Sequence, residues 1–244
     1  MGFVALFPFV RKEVFSLPAS SVWLLFIAGI VSLLASIFDF EALREGKISI
    51  IEPIIGLELP LTVFLSVTLG REGLTLPQVL SILLVFFGVA LVVTTHARYR
   101  KAMFEKGVIF GFVGALGIAL SSFLVGISSK AISPLMTIWF VHSLIALACG
   151  LFLLAQGRLR SLFVDLRHHG KLIIGQSVLD NGAWVAFAFA TSLIPISIAN
   201  TISGSYVALA VLLGLFVSKE RLRFHQAVGL AMAIVGILAL SRVS

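Results

Sequence analysis

The sequence has few charged residues and almost no cysteine. Only 12% of its 244 residues are Asp, Glu, Lys or Arg, whereas soluble domains carry about 25%. With 59% hydrophobic residues, the chain cannot cover a water-facing surface with polar groups, which excludes a soluble fold and indicates a membrane protein. The single cysteine, Cys149, lies in an apolar run. It excludes a disulfide framework within the chain and a metal site built from cysteine pairs.

The net charge of +7 would suggest a nucleic-acid partner in a soluble protein. Here the basic residues cluster at the ends of apolar runs, where Lys and Arg face lipid headgroups. The sequence therefore predicts a lipid bilayer as partner and no nucleic acid. His168 and His169 have no third ligand at a suitable spacing, so neither a metal nor another cofactor is predicted.

Apolar runs long enough to cross a bilayer recur along the chain. A crossing helix needs about 20 mostly apolar residues. The longest connections, 96–106 and 156–171, are basic. Residues 1–10 would cover about half a bilayer, as a re-entrant piece, an interfacial helix or the remnant of a longer span. The eight predicted spans are 20–43, 48–70, 76–95, 107–129, 134–155, 172–193, 197–217 and 224–241.

Two segments of the chain are copies of one pattern. Residues 48–93 and 196–241 align without a gap at an offset of 148 residues, which pairs Glu72 with Glu220, Gln78 with Gln226 and Gly88 with Gly236. Internal repeats in an apolar chain are typical of transporter folds whose substrate site lies between the repeats. Transport is therefore the leading hypothesis.

The repeat also predicts the domain organisation. The connection 96–106 separates a first half, 1–95, with three spans from a second half, 107–244, with five. The first half lacks counterparts of 107–129 and 134–155. Because the second half has an odd number of spans, the two copies begin on opposite sides of the membrane. The predicted fold is an all-α membrane helix bundle of about eight transmembrane helices in two inverted repeats.

Several short motifs follow one another in an order that is found in one transporter family. They comprise Gly70 to Gln78 followed by Gly88, Lys219 to Leu222 followed by Gln226, Gly229 and Gly236, the run Lys130 to Pro134, and Pro60. With these motifs, residues 20–242 resemble EamA-type members of the drug/metabolite transporter superfamily. The resemblance implies two tandem five-helix repeats of inverted topology. The first two helices of that pattern are missing, so the chain is either a shortened member or has a wrong or truncated start.

The distribution of basic residues predicts a membrane orientation. Eight spans place both termini on one side, which carries five Lys and Arg residues, while the other side carries thirteen. The positive-inside rule then predicts termini outside the cytoplasm. The family resemblance implies the opposite orientation. The bilayer is predicted to be the plasma (inner) membrane.

Five of the eleven acidic residues lie within apolar spans. A charge at the bilayer centre costs about 2.5–3.5 kcal/mol on insertion scales, so these residues are expected to face a cavity or a partner. Glu58 and Asp180 lie near the middle of their spans. The others lie nearer the basic side, and for Glu41 interfacial pairing with Arg44 is favoured. The five are Asp39, Glu41, Glu52, Glu58 and Asp180.

The candidate site combines two polar patterns. Helix 172–193 carries one polar face that either lines a cavity or makes interhelical hydrogen bonds. The repeat pairs Glu52 with Asn200 and Glu58 with Tyr206, which favours a shared central site. Glu58 or Asp180 is predicted to carry the coupling charge, and His142 is a weaker candidate. The predicted substrate- or ion-binding residues are Glu58, Asp180, Asn181, Trp184, Tyr206, Glu52, Asn200, Ser203, Gln176 and His142.

These features predict a secondary transporter of a small polar metabolite, amino acid-like, cationic or drug-like, that works by alternating access. The acidic interior favours a cationic or zwitterionic substrate, or proton coupling through a carboxylate. No catalytic residues are predicted. Two alternatives remain open: an intramembrane enzyme that would use Asp180 and His142, and a non-transporting membrane subunit. A homodimer is a further option.

Overall fold

The computed structural model is built of α-helices joined by short turns. It describes residues 2–46, 48–93, 106–206, 208–209, 212 and 223–243. In this part of the chain there is no strand, and the all-α membrane fold is confirmed. The helices are α1 (Gly2–Val14), α2 (Ala19–Glu45), α3 (Ile48–Ile55), α4 (Glu58–Thr68), α5 (Leu76–Val93), α6 (Lys106–Ala131), α7 (Pro134–Ala155), α8 (Leu159–Leu193), α9 (Ile196–Gly204) and α10 (Phe224–Val243).

Most predicted spans coincide with helices. Six helical stretches are long and apolar enough to cross a membrane, and a shorter apolar helix covers Leu76–Val92. Helices α2, α6, α7 and α10 match predicted spans within a few residues. Of the predicted span 197–217, most residues after Tyr206 lie outside the described part of the chain. Of the apolar stretch 1–10, residues 2–10 lie in α1, a helix of 13 residues.

The predicted span 48–70 is interrupted at Gly56 and Leu57, between α3 and α4. The cause is Pro60, which has no N–H to donate to the carbonyl of Gly56 and whose ring crowds that carbonyl. Leu59 N–H donates to the Gly56 carbonyl instead, at 3.3 Å, and Leu57 N–H to the Ile54 carbonyl at 3.1 Å. The backbone groups at the break are thus satisfied within the chain, as the interior of a membrane requires.

Helix α8 is longer than the sequence predicted. It begins at Leu159 and has 35 residues, with non-helical backbone angles at His169 (φ −119°, ψ 18°). The connection predicted at 156–171 is helical for most of its length, because residues 159–168 form a helical segment before the kink. At 1.5 Å per residue, 35 residues rise about 52 Å, well beyond a hydrocarbon core of about 30 Å.

The chain divides into two compact units. The first contains residues 1–33 and 124–193, and the second contains residues 34–123 and 194–244. The first unit has its core around Val10, Leu25, Met136 and Trp139. In this unit α7 starts in a manner typical of helices, since the Ser133 side chain accepts the Met136 N–H at 3.2 Å and proline follows at once. The sequence halves 1–95 and 107–244 are a different division and stay a prediction.

In the second unit, α5 and α10 lie antiparallel in close contact. Glycines make this possible: a Cβ on Gly88 would lie 2.6 Å from the Ala233 nitrogen, and a Cβ on Gly229 would lie 2.6 Å from the Gly88 oxygen. Helices approach this closely in membranes through small residues, since van der Waals packing replaces the hydrophobic effect there. Any larger side chain at these two positions would push the helices apart.

Two glutamines at equivalent repeat positions tie the ends of this helix pair together. Gln78 accepts the Thr75 N–H at 2.8 Å and donates to the Val243 carbonyl at 2.8 Å. Gln226 accepts the Arg223 N–H at 3.1 Å and donates to the Val92 carbonyl at 3.3 Å. Each glutamine therefore serves the start of its own helix and the end of the other, where orphan backbone groups need partners.

Candidate functional site

A small pocket lies at the break between α3 and α4 in the second unit. Its volume is about 30 Å³, room for about two water molecules at 10–15 Å³ each. A carboxylate lies on each side of the break: Glu52 belongs to α3 and Glu58 to α4. The lining residues are Glu52, Ile55, Gly56, Glu58, Leu59, Val89, Gly204 and Tyr206.

Residues 148 positions apart meet at this pocket. Gly56 and Gly204 both line it. Gly56 directly follows α3, which starts at Ile48, and Gly204 is the last residue of α9, which starts at the equivalent Ile196. Glu58 and Tyr206, a pair identified from the repeat, also both line it. The two glycines were missed in the sequence analysis, although the same offset relates them. Interrupted helices at matching positions of two repeats are the best sequence pointer to a transporter site.

Helices α4 and α9 bring these residues together by packing antiparallel. At one end, a Cβ on Gly204 would lie 3.2 Å from the Leu59 side chain. Leu59 and Ile198 belong to the buried core of this unit, together with Val85, Val89 and Ala233 from α5 and α10. Hydrophobic burial therefore fixes the apolar wall of the pocket, and the polar groups project from the helix ends.

At the other end of the α4–α9 pair, Glu72 holds the start of α9. Its carboxylate accepts the Ile196 N–H at 2.6 Å, the Ser197 N–H at 3.0 Å and the Ser197 hydroxyl at 2.8 Å. A carboxylate is favoured at a helix N-terminus because the free N–H groups and the helix dipole are positive there. Glu72 thus holds the first turn of α9, and the last residue of that helix, Gly204, lies at the pocket. The repeat counterpart of Glu72, Glu220, lies outside the described residues.

The pocket is acidic. Asp39 is close enough to Glu52 and Glu58 to interact electrostatically with both carboxylates. The Asp39 backbone and the Ile55 side chain both pack against Gly114. A Cβ on Gly114 would lie 3.3 Å from the Asp39 nitrogen and 3.4 Å from the Ile55 side chain. No Lys or Arg is among the described lining residues. Within the described part of the chain, the carboxylates of Glu52 and Glu58 have neither a hydrogen-bond nor an ion-pair partner.

Other acidic and polar residues of this unit are placed differently. Glu41 pairs with Arg44, as predicted for it; the interfacial position of the pair stays a prediction. Asn200 is 4% exposed, and its side-chain nitrogen has no hydrogen-bond partner among the residues that the structure describes. Ser203 is exposed. Neither Asn200 nor Ser203 is among the pocket-lining residues.

The remaining predicted residues lie in the first unit. His142 Nδ1 is 2.8 Å from Asn181 Oδ1, and Asn181 Nδ2 donates to the Ser177 carbonyl at 2.7 Å. Because the Asn181 oxygen accepts, His142 Nδ1 donates the proton in this pair. Trp184 meets the His142 ring edge-on at 6.4 Å between centroids. Gln176 and Asp180 are exposed on α8.

The structure therefore sorts the predicted site residues into two groups. Glu52, Glu58 and Tyr206 line the pocket of the second unit, whereas His142, Asn181 and Trp184 form a hydrogen-bonded and aromatic cluster in the first. The prediction of one central cavity lined by both groups stays a prediction. Among the described residues, no group of His, Cys, Asp and Glu is arranged to hold a metal ion.

Comparison with known proteins identifies the class of protein to which this chain belongs. The sequence profile of the EamA-like transporter family matches residues 1–94 and 105–242. The chain therefore belongs to the EamA-like transporter family, within the drug/metabolite transporter superfamily. With its membrane-spanning helices, it is an integral membrane protein of a transporter family.

Individual similar proteins add little about chemistry. An uncharacterized protein of Methanocaldococcus jannaschii is 35% identical over 65 residues, which are 27% of this chain and 47% of that protein. The chain thus spans about half the length of this curated relative. A solved structure, titled only as the crystal structure of a protein, superposes with a TM-score of 0.67 at 16% identity, over 99% of this chain and 84% of that one. This likeness shows the fold.

Proposed function

We propose that this EamA-like chain is a secondary transporter of a small cationic or zwitterionic metabolite, and that Glu52, Glu58 and Tyr206 contact the substrate. One observation carries the proposal: two carboxylates without hydrogen-bond partners in the described chain flank a break in a membrane helix and line one pocket. Ionised groups withdrawn from water are costly unless they are paired. A positively charged substrate group would supply the missing partner.

The phenol ring of Tyr206 suits the same substrate chemistry. A cation over an aromatic face gains about 0.5–2 kcal/mol, more when water is excluded. The apolar walls from Ile55, Leu59 and Val89 would contact the carbon skeleton of an amine or an amino acid. Specificity for positive charge then comes from the carboxylates, and fit comes from the apolar walls.

Transport requires the pocket to change size. Its volume of about 30 Å³ is far below the 300–1,000 Å³ typical of small-molecule sites. We infer that α4 and α9 separate at one end and then at the other, as in alternating access. Glu58 would carry a proton when the substrate is absent, which couples the substrate to a proton gradient.

The test is transport by the purified chain in liposomes with an internal pH dye and a panel of amines, amino acids and anionic metabolites. Addition of a cationic or zwitterionic substrate should move protons, and anionic metabolites should not. Glu58→Gln should abolish the signal, while the matched variant Glu41→Gln, which loses an acid paired with Arg44, should retain it. Equal activity of the two variants would refute the assignment of Glu58. Transport by this chain alone would exclude a non-transporting subunit.

A further inference from the structure

The helical segment of α8 before the kink at His169 has two different faces in sequence. Residues 159, 162, 163 and 166 are Leu, Leu, Phe and Leu, at the i, i+3, i+4, i+7 spacing of one apolar helix face. Arg160 and Arg167 lie together along one edge of this face, and Val164 and His168 lie opposite it; the structure leaves all four exposed. The segment is therefore amphipathic.

The kink separates this segment from the membrane-crossing part of α8. Residues 170–193 alone rise about 36 Å, enough to cross a hydrocarbon core of about 30 Å. Residues 159–168 therefore need not enter the core. A basic amphipathic helix next to a span is the kind that lies in the headgroup plane.

The charge of the segment favours one kind of partner. Between positions 158 and 171 the chain carries Arg158, Arg160, Arg167 and Lys171 against a single acid, Asp165. Anionic lipids attract such segments by about 1 kcal/mol for each Lys or Arg near the surface. Zwitterionic lipids offer no comparable net charge.

We propose that residues 159–168 form an interfacial helix that binds anionic phospholipid headgroups through Arg160 and Arg167, with its apolar face in the acyl boundary. This site is separate from the acidic pocket and does not depend on the identity of the transported substrate. It also places this connection on the membrane leaflet that is richer in anionic lipid.

Quenching by brominated lipids tests the proposal on the full chain. A fluorophore is attached at Leu166→Cys, a position 40% exposed, after Cys149→Ser removes the native thiol. The protein is placed in bilayers with equal amounts of phosphatidylglycerol and phosphatidylcholine, and either lipid is brominated in turn. Brominated phosphatidylglycerol should quench more strongly, and high salt should weaken this preference.

The variant Arg160→Gln with Arg167→Gln should lower the preference for phosphatidylglycerol by roughly 30-fold, since two charges at about 1 kcal/mol each are lost. Arg71→Gln with Arg242→Gln removes the same net charge elsewhere and should leave the preference unchanged. Both arginines of the test variant are exposed, so size-exclusion profiles should match. Equal quenching by both lipids in the unmodified segment, or an undiminished preference in the Arg160/Arg167 variant, would overturn the proposal.

Discussion

The predicted site residues of the two compact units differ in their hydrogen bonding. In the first unit, His142, Asn181 and the Ser177 carbonyl satisfy one another through hydrogen bonds. In the second, Glu52 and Glu58 border a pocket without such partners in the described chain. Satisfied polar groups between membrane helices stabilise the bundle. Carboxylates without partners add no such stabilisation, and this is why we propose the substrate site at Glu52 and Glu58.

Among the variants that distinguish the pocket residues from the His142 cluster, the largest effect, a loss of substrate affinity, is expected on substitution of Glu58. Glu58→Gln removes the charge but keeps the shape, so folding should persist while substrate affinity falls. A charged hydrogen bond is worth about 1.5–3 kcal/mol, or roughly 10- to 150-fold in affinity. The measurement is substrate-dependent thermal stabilisation of the purified protein, as well as transport in liposomes. If the variant binds substrate as tightly as the unmodified chain, Glu58 does not contact the substrate and the proposed difference between the two units is wrong.

The next effect concerns the anchor at the other end of α4 and α9. Glu72→Gln retains one acceptor but loses the charge-assisted bonds to Ile196 and Ser197, a loss of about 1.5–3 kcal/mol. The expected result is a lower free energy of unfolding in denaturant titrations followed by circular dichroism.

Glu13→Gln, on α1 of the first unit, is the matched control for Glu72→Gln and should leave stability unchanged. Ser197→Ala removes only one of the three bonds and should cost less than Glu72→Gln. If Ser197→Ala costs as much as Glu72→Gln, the carboxylate is not the anchor.

Apolar runs were enough to predict an all-α membrane fold, and the repeat pointed to two of the residues that line the pocket. The runs predict membrane helices because length and hydropathy are local properties of sequence, and α2, α6, α7 and α10 follow them closely. The repeat predicted that Glu58 and Tyr206 correspond, and both line the pocket. The break at Gly56 could also have been inferred, because Pro60 lies within the apolar run 48–70 and removes the helical hydrogen bond to the carbonyl four residues earlier.

Other features depend on tertiary structure or on weak local signals. Glu72 meets Ser197 across 125 residues and His142 meets Asn181 across 39, and one sequence contains no signal for such pairs. The helix at 159–168 was predicted as a connection because its charges lower the mean hydropathy. Its amphipathic spacing was the available signal. The predicted orientation, with both termini outside the cytoplasm, stays a prediction.

A smaller effect is expected from the two glutamines that join α5 and α10. Gln78→Ala and Gln226→Ala each remove one bond to the partner helix and one at their own helix start. At about 0.5–1.5 kcal/mol for each bond, the two variants should destabilise the protein by similar amounts. Unfolding in denaturant measures both. If only one of the two variants lowers the free energy of unfolding, the two equivalent sets of hydrogen bonds do not contribute equally to stability.

The smallest effect is expected in the first unit, and it tests the comparison most directly. Asn181→Leu removes the hydrogen bond to His142, and such bonds between membrane helices average about 0.6 kcal/mol in double-mutant cycles. A cycle with His142→Phe should give a coupling energy of that size, and transport should continue. If Asn181→Leu instead abolishes transport as Glu58→Gln does, while unfolding is unchanged, the cluster of His142, Asn181 and Trp184 contacts the substrate. The two groups would then act as one site, as the sequence first predicted.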